Sequence, residues 1–218
     1  MEEKNKMESK KFINFKKEEL GVKEYIKREL GKGRISNASI EYTPIGEKII
    51  ISTNKPGLVI GRRGEKIEKL TRTLKRKFHL DNPHIEIKEI MDPRINSQLV
   101  ADEIAILLER RGSLKFKVIA YRMLKDIIKS GALGTELVLS GKLPSDRARS
   151  WRFAQGYLKK TGEPAKVVKR AMAQARTGQG VVGVKVSILP PNAVIHDKII
   201  EEFKKLEFNF FASCNALA

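Results

Sequence analysis

The sequence is poor in the residues that build disulfides, metal clusters and membrane spans. It contains one cysteine, Cys214, which excludes an internal disulfide and a cysteine-cluster metal site. No apolar run approaches the roughly 20 residues that a membrane-spanning helix needs. Residues 1–11 are charged and lack the apolar region of a signal peptide. We therefore expect a cytoplasmic protein with no membrane partner, no metal and no cofactor.

Acidic residues are also scarce. Lys and Arg total 44 against 26 Asp and Glu, which gives a net charge of +18. The imbalance is concentrated in residues 110–189, where 18 basic residues accompany four acids. So large a positive charge indicates a polyanionic partner, and nucleic acid fits better than a membrane. With 41% apolar residues, the 218-residue chain can still build a core, as one large domain or two small ones.

Two arginines bracketed by glycines stand out in the first half of the chain. Residues 61–64 have the sequence Gly-Arg-Arg-Gly. Apolar residues at spacings of three and four follow, at Ile67, Leu70, Leu74 and Phe78. This spacing predicts an amphipathic helix, whose N-terminus would turn its free N–H groups and positive dipole end toward the loop. The pattern predicts a site that binds the backbone of an anionic chain, and a solvated surface turn is the alternative.

Strand patterns flank this loop on both sides. Residues 40–42 and 49–51 surround a turn at 44–47 and predict a hairpin, and the strict alternation of residues 84–90 predicts a half-buried strand. The order helix, strand, strand, Gly-x-x-Gly between helices, strand resembles a KH domain of the prokaryotic type. In KH domains this loop clamps a few nucleotides by their backbone. The resemblance implies RNA binding by Gly61, Arg62, Arg63, Gly64 and Lys66.

The second half predicts two helices followed by a sheet. A helix start is expected at Asp92-Pro93, a cap-type residue followed by proline. Apolar stripes predict two helices, the first ended by Gly112 and the second by Gly131. Alternating or apolar runs predict strands at 135–140, 149–157 and 181–188. Residues 164–175 stay open, because their alanines favour helix and Val167-Val168 favours strand.

Several runs resemble the archaeal and eukaryotic form of one family, the universal small-subunit ribosomal protein three. They are residues 57–64, 108–111, 137–143, 156–164 and 180–186, in order. The resemblance covers roughly residues 17–189. It implies an α+β fold with a type II (prokaryotic-type) KH domain and a C-terminal domain of two helices packed on a mainly antiparallel sheet. It also implies that residues 164–175 are mainly strand leading to a short turn.

The resemblance further implies a structural constituent of the small-subunit head, beside the channel through which mRNA enters. Its expected partners are small-subunit ribosomal RNA, mRNA at that channel and neighbouring head proteins. Bacterial members carry paired basic residues facing incoming mRNA, which fall near Lys117 and Val118. Lys117 fits and Val118 departs, with Lys115 and Arg122 close by.

Basic residues of the second half are the remaining candidates for phosphate contact. They are Lys142, Arg147, Arg149, Arg152, Lys159, Lys160 and Arg170. Trp151 and Phe153 could stack on bases, and the alternative for at least one of them is packing in the core or within the subunit.

We expect a charged, disordered tail at 1–17, a KH domain at 18–92, a C-terminal domain at 93–190, and an amphipathic helix and tail at 191–218. Two other functions stay open: a nuclease or DNA-repair lyase, as credited to eukaryotic relatives, and a free KH regulator. Catalysis would need a nucleophilic lysine or clustered carboxylates. The sequence has no distinctive pair of these, and its histidines, His79, His84 and His196, are scattered. We therefore expect no enzyme.

Overall fold

The first part of the chain folds as helices on a three-stranded sheet. In the computed structural model, residues 2–44, 46–78, 80 and 82–193 are described. The elements are α1 (Glu2–Leu30), β1 (Ile35–Thr43), β2 (Gly46–Thr53), α2 (Pro56–Ile60), α3 (Glu65–Phe78) and β3 (His84–Glu89). Strand β2 is central, antiparallel to β1 and parallel to β3. The predicted hairpin, the helix after the loop and the strand from His84 are confirmed.

The apolar faces of α1 and α3 cover this sheet. Val22 and Ile26 of α1, Leu74 of α3, and Ile49 and Ile51 of β2 are each at most 1% exposed. They form one contiguous core. The spacing of three or four on the helices and of two on the strand places these side chains on the faces that meet.

Helix α1 begins much earlier than the sequence predicted. It starts at Glu2, so the expectation of a disordered tail up to Lys17 is wrong. That segment lacks an apolar stripe, but Lys and Glu have good intrinsic helix propensity. Glu19 accepts hydrogen bonds from Lys16 (2.7 Å) and Lys23 (2.5 Å) one turn away on either side. These two contacts lower the pKa of Glu19 to about 2.

The second part of the chain contains two long helices and a four-stranded antiparallel sheet. Its elements are α4 (Ser97–Arg111), α5 (Phe116–Lys129), β4 (Gly134–Gly141), β5 (Arg149–Gly156), α6 (Pro164–Val167), β6 (Lys169–Thr177) and β7 (Gly180–Leu189). The strand order is β5-β4-β7-β6. The two predicted helices and three predicted strands are confirmed, and with them the α+β fold of two domains.

Both helices of this domain pack on the same face of its sheet. Ile104 and Leu108 of α4, Ile127 of α5, Leu137 of β4 and Val184 of β7 are fully buried, each 0% exposed. They belong to a single core cluster. The other face of the sheet has no helix against it within the described residues.

Two details differ from the sequence predictions. Residues 164–175 form the single-turn helix α6 and then most of β6, so the strand implied by the resemblance is confirmed from Lys169 onward. Helix α4 begins at Ser97 and not near Pro93, and its cap is Asn96, whose side chain accepts from the backbone N–H groups of Gln98 and Leu99. Residues 92–96 instead form turns, with Ile95 N–H donating to the Asp92 carbonyl (3.3 Å).

The turn after α1 docks on α4 of the second domain. The backbone N–H of Gly33 donates to Asp102 Oδ2 (2.9 Å), and the amide of Gln98 donates to Asp102 Oδ1 (3.1 Å). Asp102 is buried, and burial raises the pKa of its carboxyl above the ordinary value of 3.8.

A second contact joins the same turn to β6. Lys32 Nζ donates to Glu109 Oε1 (3.0 Å) and to the carbonyl of Gln174 (2.8 Å). Glu109 also accepts from the backbone N–H of Arg176 (2.9 Å). The hydrogen bond from Arg176 and then Lys32 lower the pKa of Glu109 below 4.5. The outer edge of β6 is thus partly occupied by groups from α4 and from the first domain.

The predicted amphipathic helix and tail fall largely on residues 194–218, which lie outside the described residues. Within the described ranges, no helix is long and apolar enough to cross a membrane.

Candidate nucleic-acid interface

The Gly-Arg-Arg-Gly loop is a sharp junction between α2 and α3. Gly61 has φ 75° and ψ −174°, and its N–H donates to the carbonyl of Gly57 (3.0 Å). A single 3₁₀ turn over Arg62–Gly64 then leads into α3, with Arg63 at φ 51° and Gly64 at φ 80°. The unusual backbone conformations of Gly61, Arg63 and Gly64 turn the chain within four residues, and both arginine side chains are exposed at the turn.

Gly61 is required by space as well as by dihedral angle. Its φ and ψ fall in a region that is essentially restricted to glycine. A Cβ at this position would lie 2.7 Å from Cγ of Lys66. The stem of Lys66 therefore covers the loop, and its ammonium lies 3.5 Å from the carbonyl of Leu58. Lys66 supports the loop from α3 and also carries a positive charge beside it.

The exposed side of α5 forms a second basic surface. Lys115, just before the helix, and Lys117 and Arg122 on it are all exposed. Val118, where the sequence departs from the bacterial pattern, is 66% exposed. Its position confirms that this point of α5 faces solvent, with an apolar side chain between the cations.

The aromatic residues of β5 belong mainly to the core. Phe153 is 7% exposed and lies edge-on to Phe116 and Tyr121. Its ring is therefore enclosed and does not present a face to a base. Trp151 is half-buried against Phe116, and Lys117 Nζ lies 4.9 Å from its ring centroid, a cation–π distance. Phe153 therefore packs in the core, and Trp151 packs partly against it.

The other candidate residues lie at one end of the sheet or on its uncovered face. Lys142 and Arg147 are in the connection from β4 to β5, Arg149 opens β5, and all three are exposed. Arg152 and Arg170 are exposed residues of β5 and β6. Lys159 and Lys160 follow β5, and Lys159 is half-buried. The fifteen predicted residues thus fall into separate surfaces around the molecule instead of one pocket.

One acidic residue that was not among the predicted site residues contacts two of them. Glu136 of β4 is 9% exposed, and its Oε1 contacts Nε of Arg152 and Nζ of Lys160, the latter at 3.2 Å. Its signal in the sequence was a single acid inside an apolar strand pattern. Among the described residues, no three His, Cys, Asp or Glu side chains are grouped as a metal site would require.

The two domains each match a known protein family. Residues 21–95 match the model of the KH domain, and residues 104–188 match that of ribosomal protein S3, C-terminal domain. The small ribosomal subunit protein uS3 of Methanocaldococcus jannaschii is 41% identical over 190 residues, covering 87% of this chain and 90% of that protein. The chain belongs to the uS3 family. The family resemblance drawn from the sequence is confirmed.

Other uS3 relatives align over similar lengths. Those of Methanosphaera stadtmanae and Methanobrevibacter smithii are each 36% identical over 179 residues, covering 82% of this chain. They are covered over 70% and 71% of their own lengths, respectively. All three relatives are named as proteins of the small ribosomal subunit. The Gly-Arg-Arg-Gly loop lies within the residues that match the KH domain. Helix α5 and most of the four-stranded sheet lie within the residues that match the S3 C-terminal domain.

Proposed function

We propose that this protein is a structural constituent of the small ribosomal subunit that binds small-subunit ribosomal RNA. The observation that carries the proposal is the match of both domains to uS3 proteins over 87% of the chain. The net charge of +18 and the exposure of its basic residues on several surfaces are what a protein enclosed by RNA requires. Its place of action is then the ribosome in the cytoplasm, among neighbouring proteins of the subunit head.

The finer part of the proposal concerns mRNA at the channel through which it enters. Exposed Lys117 and Arg122 on α5, with Lys115 just before it, support this part, because cations at one end of a rigid helix can contact nearby phosphates. Val118 supplies no charge, so this contact relies on the flanking cations. Neither the enzyme hypothesis nor the free-regulator hypothesis gains support from relatives that are all named as ribosomal proteins.

Sedimentation of extracts from cells expressing the chain tests the ribosomal role. At modest salt the protein should migrate with the small subunit, at one copy per particle. Recovery only in the light, ribosome-free fractions would refute the role. Crosslinking from position 117 to a bound mRNA tests the finer part, and crosslinks to ribosomal RNA alone would contradict it.

A further inference from the structure

The sheet of the C-terminal domain has one covered face and one open face. Leu137 and Leu139 of β4 and Val184 and Val186 of β7 point to the helices and are at most 1% exposed. Side chains alternate along a strand, so their neighbours point the other way. Across the four strands, the side chains that point the other way include Arg152, Lys185, Arg170 and Met172, and all four are exposed.

The charge on the four strands is almost entirely positive. Within β4 to β7, the carboxylate of Glu136 stands against six cations: Arg149, Arg152, Lys169, Arg170, Arg176 and Lys185. Alternation assigns Arg152, Lys185, Arg170 and Arg176 to the open face.

The pairing register arranges these side chains in rows across the sheet. Val138 lies opposite Arg152 on one side and Lys185 on the other, and Lys185 lies opposite Met172. The next row runs from Ala154 through Glu136 and Ser187 to Arg170. Neighbouring strands are about 4.8 Å apart, so the cations are spread over this face at intervals of one or two strands.

Glu136 contacts one of these cations, Arg152, and also Lys160, which follows β5. Its carboxylate is buried, whereas the side chains of Arg152 and Lys160 are 56% and 52% exposed. An arginine has five N–H donors and a lysine three. The contacts to Glu136 therefore tie both exposed side chains to one point of the sheet, and each cation has more donors than this one contact uses. A carboxylate that only neutralised charge would not need to be shared by two exposed cations from different segments.

We propose that this open face binds the phosphate backbone of RNA, and that Glu136 is the positioning residue that orients Arg152 and Lys160 on it. The inference rests on the proposed function and adds a surface, the cations Lys185 and Arg176, and a role for an acid. The spread of positive charge over the face and the pairing of its single carboxylate suit a polyanionic chain. An acidic protein segment is the other occupant that this chemistry would allow.

Binding of the full chain to a small-subunit ribosomal RNA transcript, measured over a range of salt concentrations, tests the surface. The Arg170→Ala, Lys185→Ala double variant should weaken binding and reduce the log–log salt slope by about 1.4 to 1.8, the loss of two phosphate contacts. The matched control is Lys75→Ala, Arg76→Ala, which removes two exposed cations from the last turn of α3 in the first domain. Its slope should change by less than half as much.

The Glu136→Gln variant tests the positioning role, because two explanations predict opposite signs. If charge alone matters, removing an acid adds net positive charge and RNA binds more tightly. If Glu136 orients Arg152 and Lys160, binding weakens by about threefold to tenfold, since two flexible side chains must then be ordered by the RNA itself. The melting temperature shows whether the Glu136→Gln variant is folded. If that variant is unfolded, the Arg170, Lys185 variant still tests the surface.

The outcomes separate the inference from the function on which it rests. Failure of the unmodified chain to bind the transcript would overturn both. Normal binding and slope in the Arg170, Lys185 variant would overturn the open-face surface and leave the ribosomal role intact. Tighter binding by Glu136→Gln would overturn the positioning role. If the Arg170, Lys185 variant loses binding to polyglutamate while its RNA binding is unchanged, the face binds an acidic protein, and the RNA assignment is overturned.

Discussion

In the Gly-Arg-Arg-Gly loop, the glycines build the turn, and the exposed arginines are the residues that we propose contact RNA. Gly61 and Gly64 hold positive φ values, and the stem of Lys66 packs over the first of them. Arg62 and Arg63 are exposed. Substitutions of the glycines should therefore change stability, and substitutions of the arginines should change binding.

The Arg62→Gln, Arg63→Gln variant should lose RNA affinity at an unchanged melting temperature. Each lost phosphate contact reduces the log–log salt slope by about 0.7 to 0.9. Filter binding to a short single-stranded RNA measures the slope, and Lys75→Gln, Arg76→Gln at the far end of α3 removes the same charge. Equal effects in the two variants would show that the loop contributes only through its net charge.

Replacing each of the two glycines by alanine should lower the free energy of unfolding by different amounts. Gly64→Ala places a Cβ at φ 80° with nothing within 4 Å of it, which costs about 1 to 2 kcal/mol of backbone strain. Gly61→Ala adds a clash with Lys66 to a conformation that non-glycine residues hardly adopt, so its cost should be larger. Urea denaturation of both variants gives the order, and a smaller cost for Gly61→Ala would contradict this account of the loop.

Whole elements were predictable wherever a buried face imposed a period on the sequence. The stripe of α3 at Leu70 and Leu74 and the alternation of β7 each determined the element and its buried side. The first half of α1 has no such period in its sequence, so periodicity does not predict its helix. The cap of α4 was placed at Asp92 when Asn96 supplies it, since both are cap-type residues and only the turn at 92–96 distinguishes them.

The start of α4 gives a test at the scale of one element. The side chain of Asn96 accepts from Gln98 N–H (3.1 Å) and Leu99 N–H (3.5 Å). Asn96→Ala should lower the free energy of unfolding by about 1 kcal/mol, the usual contribution of a cap. Asn96→Asp keeps an acceptor and adds a charge suited to a helix N-terminus, so it should retain the stability. Identical unfolding midpoints for the Ala and Asp variants would show that this cap does not stabilise the helix.

At the scale of the whole molecule, contacts between distant segments decide where the predicted residues lie. Periodicity identifies a buried face, but not which segment covers it, so the docking of Gly33 on Asp102 and the sharing of Glu136 had no signal of their own. The candidate residues were chosen by charge and by resemblance. Their separation into the loop, α5 and the open sheet face follows only from the topology of the two sheets.

The contact between the domains predicts two opposite effects of pH on stability. Burial raises the pKa of Asp102, so the folded state holds this proton more tightly than the unfolded state does. Its contribution to stability is fully present below pH 3.8 and is lost as the pH rises through the raised pKa. Glu109 has a lowered pKa, so its contribution is present above pH 4.5 and is lost as the pH falls through the lowered value.

Removing each carboxylate should therefore change the pH dependence in opposite directions. Asp102→Asn removes the loss of stability with rising pH, so its unfolding midpoint should increase more steeply above pH 3.8 than that of the parent. Glu109→Gln removes the gain with rising pH, so its profile should be flatter below pH 4.5. Urea midpoints at closely spaced pH values measure both slopes, and Glu24→Gln, an exposed acid of α1, supplies the baseline. Shifts of the same sign in the two variants would contradict the two stated causes, burial for the pKa of Asp102 and hydrogen bonding for the pKa of Glu109.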